Sequence, residues 1–152
     1  MKKLLASAAS WLTLGAADSG PELKLHALEA NPKPSVVCGC EFKQSVPGAA
    51  EGSYGSGPRI LIIDPNGEPP NARVNLGNGT IHLKPESPIA FPLYDCTPGA
   101  TWRSRWHAQA LELDVRLVAS SQGAEACWFS GEISLERGAA RWSAPVKGAC
   151  GC

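Results

Sequence analysis

Six cysteines are the residues of this chain with the clearest chemical potential. Two Cys-Gly-Cys elements, Cys38–Cys40 and Cys150–Cys152, lie far apart in the chain, and Cys96 and Cys127 lie between them. Residues two apart on a strand share a face, with Cα atoms about 6.6 Å apart and parallel side-chain directions. That geometry is poor for a disulfide within one element. We therefore expect the two elements to bond each other, and Cys96 to bond Cys127.

Two pairings between the Cys-Gly-Cys elements satisfy the distance limits of a disulfide. Antiparallel strands give the bonds Cys38–Cys152 and Cys40–Cys150. Parallel strands give Cys38–Cys150 and Cys40–Cys152. In either arrangement the first bond closes a loop of about 100 residues, which stabilises the fold by about 4–5 kcal/mol in the chain-entropy treatment.

An alternative role for the Cys-Gly-Cys elements is chemical rather than structural. Four thiolates suit a soft metal such as Cu(I) or zinc, and the ligands would be Cys38, Cys40, Cys150 and Cys152. A strained Cys-Gly-Cys bond would also suit thiol–disulfide exchange, for which Lys147 is the nearby positive charge. Structural zinc sites more often have a two-residue spacer. The main expectation is therefore disulfides with no metal or other cofactor.

A second candidate site is the segment Thr101–His107. Trp102 and Trp106 share one face of a predicted strand, and Arg103 and Arg105 share the other. Aromatic rings beside arginine suit stacking on sugars or contact with a protein partner. Trp128 falls on the outward phase of its own strand. The candidate aromatic and basic binding surface comprises Trp102, Arg103, Arg105, Trp106 and Trp128.

The phase of these tryptophans conflicts with that of the next strand. In Leu111–Leu117 the odd positions are apolar, so a continuous strand would place Trp102 and Trp106 on its polar face. A bulge or turn within His107–Ala110 would switch the phase and bury both rings. Without that switch, the rings would form an exposed aromatic strip.

Catalytic motifs are not evident, so we name no catalytic residue and expect a protein that is not an enzyme. The three histidines, His26, His82 and His107, have no matching nucleophile motif, and the chain has no Gly-x-Ser-x-Gly sequence. No Gly-rich phosphate loop precedes a helix.

The elements that carry these residues are strands. Short apolar runs alternate with turn residues from Ser35 onward, which favours an all-β fold. We predict a small antiparallel β-sandwich, Ig-like or similar, stapled by disulfides over residues 35–152. Residues 18–34 would form a polar N-terminal arm, in which Glu22–Ala30 has room for one or two helical turns.

The clearest local pattern is a hairpin around Asn78-Gly79, which is typical of a two-residue type I′ turn. That turn predicts a register in which Leu76 lies opposite Ile81 and Val74 lies opposite Leu83. Both apolar pairs then share the buried face.

The length of the chain, its net charge and its first residues limit the functions that it can have. A chain of 152 residues fits one domain, and its net charge of +0 gives no general attraction to nucleic acid. Lys2 and Lys3, the apolar stretch Leu4–Leu14 and small residues up to Ala17 predict a signal peptide over residues 1–17. No further segment predicts a transmembrane span. We expect a periplasmic or secreted binding or envelope-associated module, whose partner is an unknown protein or glycan.

Overall fold

The computed structural model describes residues 22–29, 38–48, 57–89, 96–123 and 126–152. The predicted signal peptide and parts of the predicted arm lie outside these residues. Eight strands make up the fold, and the described residues contain no helix. The strands are β1 (Gly39–Gln44), β2 (Arg59–Asp64), β3 (Asn71–Asn75), β4 (Thr80–Pro85), β5 (Thr101–Ala108), β6 (Leu111–Gln122), β7 (Ala126–Arg137) and β8 (Ala140–Gly151).

The strands form one closed antiparallel barrel, in which each strand pairs with the next and β1 pairs with β8. The all-β prediction is confirmed, whereas the two-sheet sandwich is not. The reason is the pairing of β1 with β8 over its whole length, from Gly39↔Gly151 to Gln44↔Val146. Each strand therefore has a neighbour on both sides, although β4 pairs with β5 at only two positions.

Apolar side chains fill the barrel interior. The alternation predicted for β6 is confirmed, because Leu113, Val115 and Leu117 are buried. Phe42 of β1 and Ile60 of β2 reach the same core from the opposite wall. The barrel is therefore packed like a small globular core rather than hollow.

Gly148 allows a close approach of β1 and β8. It lies on β8 directly opposite Phe42 of β1 and Phe129 of β7. A Cβ atom built on Gly148 would collide with the carbonyl oxygen of Glu41 and would lie 2.6 Å from Cδ1 of Phe42. The ring of Phe42 thus occupies space that a side chain at position 148 would need.

A two-residue turn between β5 and β6 switches the phase of the side chains. Ala108 pairs with Leu111, so Gln109 and Ala110 form the turn, and Gln109 has a φ of 53°. Even positions of β5 consequently face the core together with odd positions of β6. This is the phase switch that the sequence predicts as one of two alternatives for His107–Ala110.

The β3–β4 hairpin has a different register from the predicted one. Val74 lies opposite Ile81 rather than Leu83, so the connection is four residues long, and Asn78 does not have positive φ. The side chain of Asn75 organises this loop, because its Oδ1 accepts hydrogen bonds from the backbone N–H of Gly77 (2.8 Å) and of Gly79 (3.3 Å). A shift of two residues keeps the same face buried, so the predicted burial pattern survives the wrong register.

The described part of the predicted arm packs onto the barrel. Residues 22–29 contain no helix, and Leu23, Leu25 and Leu28 are buried. The backbone N–H of His26 donates to the carbonyl of Asn75, and that of Leu28 donates to the carbonyl of Arg59, both at 2.8 Å. The arm therefore crosses the last residue of β3 and the first of β2 as extended chain.

Three disulfides join the six cysteines, and the described residues hold no free thiol. Of the two alternatives, the structure has the antiparallel one, with bonds Cys38–Cys152 and Cys40–Cys150. Cys96 bonds Cys127, as expected. Cys127, Cys150 and Cys40 face one another across β7, β8 and β1, so the bonds gather at the end of the barrel where β1 begins.

We expect Gly148→Ala to destabilise the barrel by about 1–3 kcal/mol, the usual cost of overpacking a core. Gly123→Ala is the matched control, because a Cβ there would lie 3.4 Å from its nearest neighbour, the carbonyl oxygen of Ala126. Urea unfolding of both variants, read by tryptophan fluorescence, measures the difference. Equal stability of the two variants would contradict the role of Phe42 at Gly148.

We expect the Cys38–Cys152 disulfide to open before the buried disulfides under mild reductant. Cys152 is exposed, whereas Cys40 and Cys150 are 2% and 0% exposed. Because exchange requires access to a sulfur atom, Cys38–Cys152 should be reduced first. Alkylation of released thiols at increasing reductant concentration, followed by mass spectrometry, gives the order. Labelling of Cys40 before Cys152 would show that burial does not control reduction.

Candidate functional site

A polar groove of about 300 Å³ runs along the outer face of β5, β6 and β7. The register places Arg105 directly opposite Asp114, and Arg103 directly opposite Arg116. Outward residues of neighbouring strands lie about 5 Å apart, so these four side chains form one patch. We call Arg103, Arg105 and Arg116 the arginine cluster.

Asp114 holds two members of the cluster in place. Arg103 donates to both of its carboxylate oxygens, from Nε at 3.0 Å and from Nη2 at 2.7 Å. Arg116 donates to Oδ2 from Nε at 3.1 Å and from Nη2 at 2.8 Å. Directly opposed like charges destabilise a sheet. The shared carboxylate offsets that repulsion between Arg103 and Arg116.

The environment of Asp114 alters its acidity. The Asp114 side chain is only 17% exposed, against 49% for Arg103. The hydrogen bonds from Arg103 hold the pKa of the Asp114 carboxyl below its usual range, although partial burial acts in the opposite direction. The same contact raises the pKa of Arg103. Both groups are therefore ionised at neutral pH.

Arg105 has the longest ion-pair contact of the three arginines. Among the described residues its ion-pair contact is with Glu86 at 4.0 Å, and the two side chains are 56% and 59% exposed. A pair of that length and exposure contributes little to stability. Glu132 of β7 lies directly opposite Arg116. The cluster therefore places three guanidinium groups beside three carboxylates, with Arg105 projecting toward solvent.

The opposite end of the groove is acidic. Glu112 of β6 lies directly opposite Glu136 of β7, and Glu136 contacts Arg141 of β8 at 3.6 Å. His107 lies opposite Glu112 on the other side. The groove thus has a basic end and an acidic end, which are separated along the strands.

The arginine cluster is suited to binding an oxyanion. A guanidinium has five N–H donors, so Arg103 and Arg116 retain donors after they bind Asp114. Their planar groups match carboxylate, phosphate or sulfate oxygens, and such charge-assisted hydrogen bonds are about twice as strong as neutral ones. Because Asp114 fixes two of the three side chains, little side-chain entropy remains to be lost on binding.

The structure separates the members of the predicted aromatic and basic surface. Arg103 and Arg105 lie together on the outer face, whereas Trp106 is 1% exposed and donates from Nε1 to Oγ of Ser104 at 2.8 Å inside the barrel. Trp102 packs against the core and is half-buried. Trp128 is half-buried on the outer face of β7, where it lies opposite Ala149 of β8.

The sequence alone does not identify Arg116, Asp114 or Glu86 as site residues. The alternation of β6 places Asp114 and Arg116 on the outer face, which the sequence does indicate. Their proximity to Arg103 depends on the register set by the Gln109–Ala110 turn. The sequence signal that indicates this proximity is the alternation of charged residues on two successive strands joined by a short turn.

The cysteines of the proposed alternative metal site are all in disulfides. Among the described residues, no group of three or more histidine, cysteine, aspartate or glutamate side chains has a metal-binding arrangement. Within the same residues, no helix is long and apolar enough to cross a membrane. Comparisons of the chain with protein-family models, curated proteins and solved structures found no significant match.

We expect Asp114→Asn to remove part of the pH dependence of stability. Since the pKa of Asp114 is lowered in the folded state, its stabilisation is complete above the ordinary aspartate pKa of about 3.9. It is lost as the pH falls through the lowered value. Urea unfolding of wild type and variant between neutral and strongly acidic pH measures this.

The control for this experiment is Asp64→Asn. Asp64 accepts a hydrogen bond from the backbone N–H of Asn66 in a turn and forms no ion pair among the described residues. The Asp64→Asn variant should lose stability on acidification to the same extent as the wild type. If Asp114→Asn shows the same acid-induced loss as wild type, the arginine contacts do not govern the titration of Asp114.

Proposed function

We propose that this protein is an exported, non-enzymatic binding module that recognises an oxyanion on its partner through the arginine cluster. The observation that carries the proposal is the sharing of one largely buried carboxylate, Asp114, by Arg103 and Arg116, with Arg105 exposed beside them. Arg103 and Arg116 keep N–H donors that Asp114 does not use. An oxyanion of the ligand would accept hydrogen bonds from these remaining N–H donors.

The scaffold supports binding more than chemistry. The cluster lies on paired strands of a closed barrel, where backbone positions are held by ladders on both sides. Sites on such strands keep their geometry better than sites on loops, and a fixed geometry lowers the cost of binding. The groove is open and mostly polar at its surface, which favours part of a larger partner over a small enclosed substrate.

Export is the part of the proposal that the disulfides support. All six cysteines are paired, and the first two bonds span sequence separations of 114 and 110 residues. Such bonds persist in oxidising compartments and are rare in reducing ones. The basic and apolar start of the chain is consistent with a signal peptide.

The thiol and metal alternatives are less well supported by the same bonds. Cys40 and Cys150 are buried, so neither a substrate nor a metal reaches their sulfur atoms in the folded state. Only the Cys38–Cys152 bond has an exposed cysteine. Thiol chemistry would therefore involve a single terminal bond rather than a four-cysteine centre.

The partner that fits the cluster is an acidic glycan or protein with carboxylate, sulfate or phosphate groups. Polygalacturonate supplies carboxylates on a sugar chain, dextran sulfate supplies sulfates, and unmodified dextran is the uncharged comparison. Direct binding of the full chain to each immobilised polymer identifies the oxyanion. We expect binding to the charged polymers that weakens as salt increases.

Arg105→Gln should weaken this binding by about tenfold, since a charge-assisted hydrogen bond contributes about 1.5 kcal/mol. Lys24→Gln is the matched control, because it also removes one positive charge and Lys24 is exposed on the arm, which pairs with β2 and β3 rather than with β5 and β6. Equal binding by the two variants, or equal binding of dextran and the charged polymers, would refute the proposed site. Free thiols in most of the protein recovered from the extracytoplasmic fraction would refute the proposed export in a stapled form.

A further inference from the structure

β4 and β5 pair over only part of β4, next to the turn that joins β5 to β6. β4 pairs with β3 from Thr80 to Leu83, but it pairs with β5 only at Lys84 and Pro85. This is the shortest ladder of the barrel. The described strands thus provide no partner for Thr80–Leu83 on the β5 side. We call this edge of β4 the seam.

Backbone groups of β4 point into the seam. The N–H of Glu86, just after β4, donates to the carbonyl of Arg105 at 2.9 Å. Hydrogen-bonding direction alternates from residue to residue along an antiparallel strand. The N–H and C=O of Lys84 and His82 therefore face the same side as those of Glu86. Lys84 has His107 as its partner there, whereas His82 lies beyond the end of the ladder.

A cavity of about 510 Å³ lies at the seam. Its apolar floor includes Ile81, half-buried, and Leu111, which is 2% exposed. Basic side chains form its rim, namely His82, Lys84, His107 and Arg137. A site with apolar depth, a basic rim and a strand edge matches a recurring mode of peptide recognition, in which an extended segment adds to a sheet.

We propose that the seam binds an extended acidic segment of a protein partner by strand addition next to β4. The backbone of the segment would pair with the N–H and C=O of His82. Alternate side chains would face the rim and the apolar floor, because strand side chains alternate with period two. This site shares His107 with the polar groove, but no member of the arginine cluster lines it.

Charge decides the type of partner. Lys84 and Arg137 are positively charged at neutral pH and line the cavity. Glu86, Glu112 and Glu136 are close to them in the strands but are not among its lining residues. A second copy of this chain would bring Lys84 and His82 against the same basic residues, which disfavours self-pairing. A polysaccharide could meet the charges but has no backbone amides for the strand edge. An acidic polypeptide satisfies both requirements.

The test uses the full chain and a fluorescein-labelled peptide, Val-Glu-Val-Glu-Val-Glu, whose binding is followed by anisotropy. A matched peptide has lysine in place of glutamate, and a third has N-methyl groups on alternate backbone amides. We expect the acidic peptide to bind, and we expect both matched peptides to bind at least about tenfold more weakly, because one lacks the charge and the other lacks backbone donors. The N-methylated peptide leaves the protein unchanged, so its result does not depend on the folding of a variant.

Three protein variants locate the binding. Lys84→Glu should weaken binding of the acidic peptide by about tenfold, whereas Lys147→Glu, on β8 and outside both cavities, should leave it unchanged. Arg105→Glu should leave the difference between the acidic peptide and its N-methylated counterpart unchanged, because that difference reports backbone pairing at β4 and not charge attraction to the arginine cluster. Loss of binding in Arg105→Glu but not in Lys84→Glu would assign the peptide to the arginine cluster and overturn the seam proposal.

Three further outcomes would also overturn the seam proposal. No binding of the acidic peptide, or equal binding of the N-methylated peptide, would overturn strand addition and leave the arginine-cluster proposal standing. A stable dimer in light scattering that Lys84→Glu abolishes would identify a second copy as the occupant, and would also overturn the acidic-segment proposal.

Discussion

The pairing of β1 with β8 is the constraint on which the other features of this protein depend. It joins strands from distant parts of the chain over six residues, and the Cys40–Cys150 bond crosses it. Phe42 packs over Gly148 within the same ladder. Without this pairing the sheet would be open, and both β1 and β8 would present unpaired backbone groups along one side.

Closure also determines what the outer surface can do. Inside the barrel the polar groups of β5, Ser104 Oγ and the indole N–H of Trp106, bond each other. The charged residues of β5 and β6 lie on the outer face. Two neighbouring strands with fixed register then place Arg103, Asp114 and Arg116 within hydrogen-bonding distance. The ladders of the closed barrel differ in length, and the one between β4 and β5 pairs only two residues of each strand.

Features that depend on neighbouring residues could be predicted from the sequence. The alternation of Leu113, Val115 and Leu117 indicates a strand face directly, and the two Cys-Gly-Cys elements limit the disulfides to two alternatives. Direction could not be chosen between those alternatives, because strand orientation is a property of the sheet. Closure could not be predicted either, since the pairing of β1 with β8 leaves no local pattern.

The wrong register of the β3–β4 hairpin and the missed arginine cluster have specific physical causes. Asn78-Gly79 predicts a two-residue turn, but the Asn75 side chain and the arm's His26 backbone use the hydrogen-bonding groups at the end of β3. The arginine cluster escaped prediction because its members are joined only through the register across the Gln109–Ala110 turn.

The long separation between bonded cysteines also affects how the protein is made. Cys38 and Cys40 appear early during synthesis, whereas Cys150 and Cys152, their partners, appear last. Cys96 and Cys127 become available in between. Either the first two thiols stay unpaired until the last strand arrives, or non-native bonds form and must be exchanged. In an oxidising compartment the yield of native barrel therefore depends on the rate of disulfide exchange relative to the rate of oxidation.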